Sequence, residues 1–439
     1  MTQTDVSATT PANHPTDQNL SAGTPASHPT DQDLSAGTPA NHPTDQTRSA
    51  EIKATALAAL LAQAVTPPEP VAYRGVLTPR ELDAPARETA ALVSGAAVHD
   101  LGWLRRVAVR GEDRFRWLSG MVTNMVKDLG ENAGTWNLVL NAQGRIQGDL
   151  YVWREGECLD LEIAADQYDK LLAHLEHFII MDDVELAPRS VPAGGESSFE
   201  TALGLTGPLA AGVLARLGLP APTEPLTTAR GVWNGHEVRV VRAYGLLTPH
   251  FELWIEAAAI PALWPALTEA GAVPVGAASL EALRIAEAIP AYGIDIAERD
   301  LAQETSQMRA LHFSKGCYLG QEIVERIHSR GSVHRHLRPL ELFGPVPVAG
   351  TELTLDGGAN AGHITSAAEL PLAAGSRLFA LGMIRGEAEL HNQPLTYVAG
   401  TATGTARILA GPPELGANDS VFQESALCQG TTSVVPKRT

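Results

Sequence analysis

Residues 136–153 read WNLVL, NAQG, RIQGDLYVW: two runs with apolar side chains at alternate positions, joined by a four-residue loop that contains glycine. Period-two alternation sends successive side chains to opposite faces, so the passage predicts a β-hairpin with one face in a core. CLDLEIAA (158–165) alternates again and adds a strand. QYDKLLAHLEHFIIM then switches to helical spacing, with Tyr168, Leu171, Leu172, Leu175, Phe178 and Ile179 on one face. VRVV and FELWI are further strands, and SLEALRIAEAI (Ser279–Ile289) is a helix stopped by Pro290. After Arg338 come short runs, LRPLELF, TELTLDG, AGHITSAAEL, FALGMIR, AELH and GTARILAG, separated by Gly- and Pro-rich turns. These predict strands of a small all-β barrel. The fold class is α+β with a β-rich C-terminal end.

A chain of 439 residues exceeds one ordinary core and predicts two or three domains. It opens with a tandem repeat: TPANHPTDQNLSAG (Thr10–Gly23), TPASHPTDQDLSAG (Thr24–Gly37) and TPANHPTDQTRSA (Thr38–Ala50). Each copy is too poor in large apolar residues to offset the entropy of ordering it, so residues 1–50 are expected to be disordered. Residues 51–89 are expected to be a linker with a short helix. Its apolar run IKATALAALLAQAV (Ile52–Val65) is shorter than the ~18–20 residues a membrane span needs. Residues 90–336 form the main body, 337–412 the barrel and 413–439 a flexible tail.

The formal charge of -18 and pI near 5.2 disfavour non-specific nucleic-acid binding by the whole chain, while leaving room for a local basic patch that serves an anionic ligand. Cys158, Cys317 and Cys428 lie far apart with no CxxC or CxxH spacing. A disulfide framework and a self-contained metal site are therefore not expected, and a reducing, cytoplasmic setting is.

Against this acidic background, SKGCYLGQEIVERIHSRGSVHRH (Ser314–His336) gathers basic groups around one thiol. Cations near Cys317 would favour its thiolate, and Lys315, Arg326, Arg330 and Arg335 are near in sequence. Gly316 and Gly320 allow turns that bring such groups close to a ligand. On these residues alone, a lone cysteine is more commonly a buried packing group. QEIVERI predicts a short helix, with Glu322 near its start, favourable to the helix dipole. His328, His334 and His336 are not spaced to form a metal site on their own. One cysteine cannot hold a cluster that wants about four thiolates, so Cys317 would handle a transient adduct, a transferred sulfur or iron, or a mixed disulfide.

Several stretches together resemble the folate-binding proteins related to the glycine-cleavage T-protein. They are VRGEDRFRWLSGMVTNMV (Val109–Val126), LVLNAQGRIQGDLYVW, HFIIMDDVEL, GLTGPLAAGVLARLG and LEALRIAEAIPAYGIDI, in the family order. KGCYLGQE (Lys315–Glu322) resembles the signature of the YgfZ branch. The resemblance implies two interleaved α/β subdomains around a central folate site, followed by a C-terminal β-barrel. It implies roles for Cys317 and Lys315, with Gly316, Tyr318, Gly320, Gln321 and Glu322 completing the motif. It further implies a folate site that includes Asn124, Asp149, Glu252, Arg284 and Tyr292. Asp295 would shape the same cavity, and Asn124 would serve the pterin or cap a helix. Arg284 would offer its planar fork to the folate carboxylates, although its periodicity suits the wet face of a helix equally well.

The chain departs from T-protein at two points. Gly148 stands where the first of two successive aspartates is expected, leaving Asp149. Thr248 stands at the glutamate of the TGE turn, leaving Glu252. Lost carboxylates weaken an aminomethyl-transfer reading, because such groups orient or deprotonate the amine. The expected function is tetrahydrofolate-dependent assembly or repair of iron–sulfur clusters in client enzymes, tRNA-modifying enzymes among them. The alternative is a folate-dependent one-carbon transferase of the T-protein type. The expected partners are folate and iron–sulfur client or assembly proteins. No membrane partner is expected, and neither is direct RNA binding, because Lys315–Arg338 lacks interleaved aromatic residues for base stacking.

Overall fold

The computed structural model describes residues 52–189, 200–391 and 393–415. The repeat tail, Cys428 and nearly all of the expected C-terminal tail lie outside the described residues. The chain begins with α1 (Ala56–Leu61), a hairpin of β1 (Pro70–Tyr73) and β2 (Val76–Pro79), and α2 (Pro85–Ser94). The expected linker thus carries a hairpin and the first turn of a second helix, and Leu57 is 1% exposed in a core.

The body continues through β3 (Ala97–Asp100), β4 (Leu104–Arg110), α3 (Arg114–Met121), β5 (Ala133–Leu140), β6 (Ile146–Glu155), β7 (Cys158–Ala164), α4 (Tyr168–Glu176) and β8 (Glu185–Pro188). Next come β9 (Thr201–Thr206), α5 (Ala210–Arg216), β10 (Thr227–Trp233), β11 (His236–Ala243), β12 (His250–Ile255), α6 (Ile260–Glu269), β13 (Val273–Val275), α7 (Ala277–Ala286) and α8 (Gln321–Arg330). An eleven-stranded sheet runs β13-β3-β9-β12-β11-β10-β5-β6-β7-β4-β8. Consecutive strands β3 and β4 sit in opposite halves, so the halves are interleaved in sequence. They join where Thr227 of β10 meets Ala133 of β5.

The predicted hairpin is β5–β6, antiparallel with Trp136 opposite Tyr151 and Leu138 opposite Asp149. Its apolar positions Leu138, Leu140, Ile146, Leu150 and Val152 are almost fully buried. The α4 helix stops at Glu176, five residues short of the apolar run's end, and leaves Ile180 and Met181 at 80% and 94% exposure.

A closed barrel follows, β14-β17-β16-β15-β18-β19, from β14 (Arg335–Phe343), β15 (Glu352–Thr354), β16 (Asn360–Leu372), β17 (Gly375–Arg385), β18 (Leu395–Ala399) and β19 (Ala402–Ile408). AELH, expected as a strand, is instead the end of α9 (Gly386–His391). Ala388 is its buried anchor, and Glu389 turns back to pair with His336 and Arg338 of β14. Among the described residues no helix is long and apolar enough to cross a membrane.

Candidate functional site

The two halves of the sheet enclose, with α7, a cavity of about 210 Å³. β6 contributes Asp149, Tyr151 and Trp153, β5 contributes Trp136, and β7 contributes Glu162. β12 brings Glu252 and α7 brings Arg284. Tyr151 and Trp153 stack at 5.9 Å between centroids, giving the cavity an aromatic wall. Beside them Arg106 is fully buried, pairs with Glu162 at 2.9 Å and lies 4.0 Å from Glu252. Trp153 Nε1 donates to Glu162, and Trp254 Nε1 donates to Glu252. Burial, and then the neighbouring Glu162 charge, raise Glu252 well above the usual carboxyl range. One guanidinium stands between two adjacent buried carboxyls, so ionisation of Glu252 is disfavoured.

Asp149 meets the cavity with both oxygens occupied: Trp136 Nε1 and Gln167 Nε2 each donate to it at 2.9 Å. Gly148 faces the other way. A Cβ there would lie 2.7 Å from Gln167 Oε1, so Gln167 fills the space an aspartate would need. Thr248 is buried with its hydroxyl unpaired and is not among the cavity's lining residues.

Three of the expected folate residues, Asp149, Glu252 and Arg284, are brought together; Asn124 and Tyr292 are not among the lining residues. The Asn124 amide donates to Trp136 O and Arg309 O, bracing a loop against β5 rather than capping a helix. Tyr292 is 8% exposed in the core beside Trp136 and Leu138, and its hydroxyl accepts from Lys170 at 3.1 Å. Arg284 borders the cavity, but its fork is spent on the protein itself. It pairs with Asp295 at 2.7 Å and with Glu281, and it also donates to Ile289 O. Asp295 lies outside the lining and accepts from Thr365 and Ser366 of the barrel, each at 2.6 Å. The expectation that Arg284 presents a free fork to a ligand is therefore corrected: the fork locks α7 to the barrel.

Cys317 sits in the loop before α8, exposed to solvent. It is absent from the cavity lining, and the buried packing role is excluded. Gly320 explains part of the loop's sequence: its φ is +82°, and a Cβ would lie 2.6 Å from Asn141 O. Gly316 has φ +98°. Tyr318 is 7% exposed, and Gln321 Oε1 accepts from the Tyr318 amide. Glu322 lies exposed in the first turn of α8.

Lys315 points inward, donating to Ser119 O and Val122 O at the C-terminal end of α3. Its charge serves that helix end, not the thiol. Arg335 pairs with Asp300 and Glu304, and Arg338 with Glu389; Arg326 and Arg330 are on α8. Two of the four cations expected around Cys317, Lys315 and Arg335, are thus committed elsewhere, and Arg326 and Arg330 lie exposed on α8.

Burial pushes Lys315 down to about 7. Between that value and the ordinary lysine range near ~10.4, the unfolded chain binds a proton that the folded chain lacks. Stability is therefore expected to rise as pH climbs through this window. Each pH step of one adds at most ~1.4 kcal/mol, and the carbonyls that favour the ammonium at a helix C-terminus reduce the effect. Denaturant melts across the window should show the rise in wild type and a flatter profile in Lys315→Met.

Sequence reading missed Arg106, Glu162 and the aromatic wall, as well as His99, Thr206, His250 and Glu287, which also line the cavity. The available signal was Asp160 and Glu162 alternating with leucines in CLDLEIAA. In isolation that pattern suggests a wet face, but both residues are at most 3% exposed.

An interleaved pair of α/β halves with a barrel appended and a cavity between the halves defines the class of protein. Residues 54–315, more than half of the chain, match the GCVT N-terminal domain family, and the chain belongs to that family. It is similar to an aminomethyltransferase of Rubrobacter xylanophilus, 28% identical over 311 residues, covering 69% of this chain and 77% of that one. It is also similar to an iron–sulfur cluster assembly factor IBA57 homolog, mitochondrial, of Pyricularia oryzae, 24% identical over 255 residues and covering 54% and 56% of the two chains. The crystal structure of glycine cleavage system aminomethyltransferase T from Bartonella henselae shares the fold, with a TM-score of 0.71 at 20% identity, covering 82% of this chain and 98% of that one.

Proposed function

We propose that the protein is a tetrahydrofolate-binding accessory factor of the YgfZ branch, serving the assembly or repair of iron–sulfur clusters in client enzymes, including tRNA-modifying enzymes. The observation that carries this reading is the separation of thiol from cavity: Cys317 is exposed on its own loop and absent from the cavity lining. A thiol so placed reaches the surface of another protein, as an accessory factor requires. The likeness to an iron–sulfur cluster assembly factor supports the same reading.

The cavity's chemistry suits a reduced folate. Its aromatic wall offers a stacking surface for a flat heterocycle. The Glu162 and Glu252 carboxyls offer acceptors to an amino-substituted ring, and Arg106 keeps the pair from being doubly unbalanced. Bound tetrahydrofolate would supply a nucleophilic nitrogen pair able to carry one carbon. Trp136 and Gln167 hold Asp149 in orientation without supplying charge.

Calorimetry with tetrahydrofolate tests the ligand. Wild type should bind, and Glu252→Ala should lose about 1.5–3 kcal/mol, tenfold to a hundredfold or more in affinity. Equal affinity in the variant would remove Glu252 from the site. A second reading, aminomethyl transfer, is favoured by Asp149 in the cavity and by the aminomethyltransferase relatives. A reconstituted glycine-cleavage assay separates the two: no turnover is expected, and sustained turnover would favour the transferase.

A further inference from the structure

The two-residue turn of the β1–β2 hairpin places an arginine on the cavity wall. Tyr73 pairs with Val76, and the residues between them, Arg74 and Gly75, have φ of +48° and +87°. Such a turn needs left-handed backbone at both positions and favours Asn, Asp or Gly at the first, so arginine is held there against its own preference. The tip is seated on the loop between β7 and α4. Asp166 N donates to Arg74 O at 3.1 Å, and a Cβ at Gly75 would lie 2.6 Å from Asp166 N. The Tyr73 hydroxyl donates to Glu281 at 3.2 Å, and its ring meets Trp103 edge-on at 5.8 Å. Tyr73, Arg74 and Trp103 all line the cavity.

The Arg74 side chain is 8% exposed, and its guanidinium lies 5.7 Å from the Trp103 ring centroid. Its Nε lies 3.1 Å from the Asp166 carboxylate, but the contact is not aligned as a hydrogen bond, and Nε has none. Nη1 and Nη2 make no hydrogen bond among the described residues either, yet they are not sealed from solvent as Nε is. The open edge of the fork is therefore the Nη pair. Buried polar groups are almost always paired, so a guanidinium this deep calls for an acceptor that the chain itself does not supply. Asp166 does not meet that need. Burial raises its carboxyl above the ordinary value in spite of the Arg74 charge, and Asp149 adds to the rise. Asp149 does not compete for the fork, because Trp136 and Gln167 occupy both of its oxygens. Arg284, the other arginine on the wall, is committed to Asp295 and Glu281.

We propose that Arg74 is the anion-binding residue of this cavity, its Nη pair taking the two oxygens of a carboxylate or phosphate group. A planar guanidinium matches either group bidentately. The seated hairpin tip holds the guanidinium in place before a ligand arrives, so less freedom is lost on binding. The group belongs either to the molecule that fills the cavity or to a separate small anion. In the first case the inference rests on the folate reading, and the group is a glutamate carboxylate of tetrahydrofolate. The Tyr151–Trp153 wall then takes the flat ring and Arg74 the charged end.

Inorganic phosphate titrated into the full chain, followed in nitrogen-15 spectra of the arginine side chains, tests the fork with no folate present. The Arg74 signals, assigned by their loss in Arg74→Lys and Arg74→Gln, should shift and saturate, while the Arg284 signals stay in place. Arg74→Lys keeps the charge beside Asp166 but has no fork, and by calorimetry it should bind phosphate about tenfold more weakly. An unsaturated drift, no shift at Arg74, or full phosphate affinity in Arg74→Lys would overturn the assignment. Tetrahydrofolate and methyltetrahydropterin, which has the ring without the carboxylates, separate the two sources. A loss of about tenfold or more in Arg74→Lys for tetrahydrofolate alone gives the carboxylate to the cavity's ligand. Unchanged tetrahydrofolate affinity, with phosphate bound beside it, gives the fork to a separate anion. Equal loss of both pterins would make Arg74 a wall residue only and overturn the anion site. If wild type binds neither pterin, the folate reading fails and the phosphate titration alone decides Arg74.

Discussion

Cys317→Ser is expected to fold like wild type and to lose function entirely. The thiol is exposed, and exchanging sulfur for oxygen there removes no packed contact, so the change in stability should fall within about 0.5 kcal/mol. The chemistry does not survive the exchange. A serine hydroxyl does not ionise near neutral pH, form disulfides or ligate iron as a thiolate does. In a cell lacking its own homologue, the wild-type gene should restore cluster-enzyme activity and the serine variant should not. Cys158 is the internal control: it is also exposed, at the start of β7, but it lies outside the Lys315–Glu322 motif. Cys158→Ser should rescue fully. Because the Lys315 ammonium is held by Ser119 and Val122, Lys315→Met should leave the pH profile of Cys317 alkylation where it was. Full rescue by Cys317→Ser would reduce the motif to its turn-forming glycines and its helix start.

The parts of this fold that were legible in the sequence are those whose partner lies close along the chain. The β5–β6 hairpin could be read because a four-residue loop forces its strands together and apolar residues recur at alternate positions, Leu138 and Leu140 packing on one face and Leu150 and Val152 on the other. Most barrel strands could be read from their own short apolar runs between Gly- and Pro-rich turns, but not their pairing, since β14 meets β17 and β19 far along the chain, and β18 (Leu395–Ala399) is missed. AELH could not, since four residues with one apolar anchor carry no period, and the helix is decided by Glu389 reaching His336 and Arg338 across the barrel. The joining of two half-sheets at Thr227 and Ala133 also leaves no local mark. The site divided along the same line. Asp149, Glu252 and Arg284 came from a resemblance of whole motifs. Glu162, His99 and His250 sit on strands whose polar positions look solvent-facing until a second half-sheet covers them. Arg284 lines the cavity, but its hydrogen bonds are not legible in the sequence, because Glu281, three residues away, and Asp295, beyond the helix, claim the same fork.

That reassignment makes Arg284→Ala a test with a large expected effect. The side chain of Asp295 is wholly buried; it takes hydrogen bonds from Thr365, Ser366 and the Ala291 amide, and Arg284 is its cation. Removing the guanidinium leaves a buried carboxylate uncompensated, which typically costs about 3–5 kcal/mol. Glu281 loses its partner too, but it is more exposed and adds little. Thermal unfolding should therefore shift down by about 4–6 °C. The ion pair also holds the C-terminal half of α7 against β16, so hydrogen exchange should rise at the α7–barrel junction before it rises in the β5–β6 hairpin. A double-mutant cycle isolates the pair: Asp295→Ala should cost a similar amount, and the double variant little more than either single one, since the second removal no longer strands a charge. If Arg284→Ala instead melts like wild type and binds tetrahydrofolate at least tenfold more weakly, the fork is free in solution and belongs to the ligand. The barrel would then be held to the body by the packing of α7 on β16 and β17 alone.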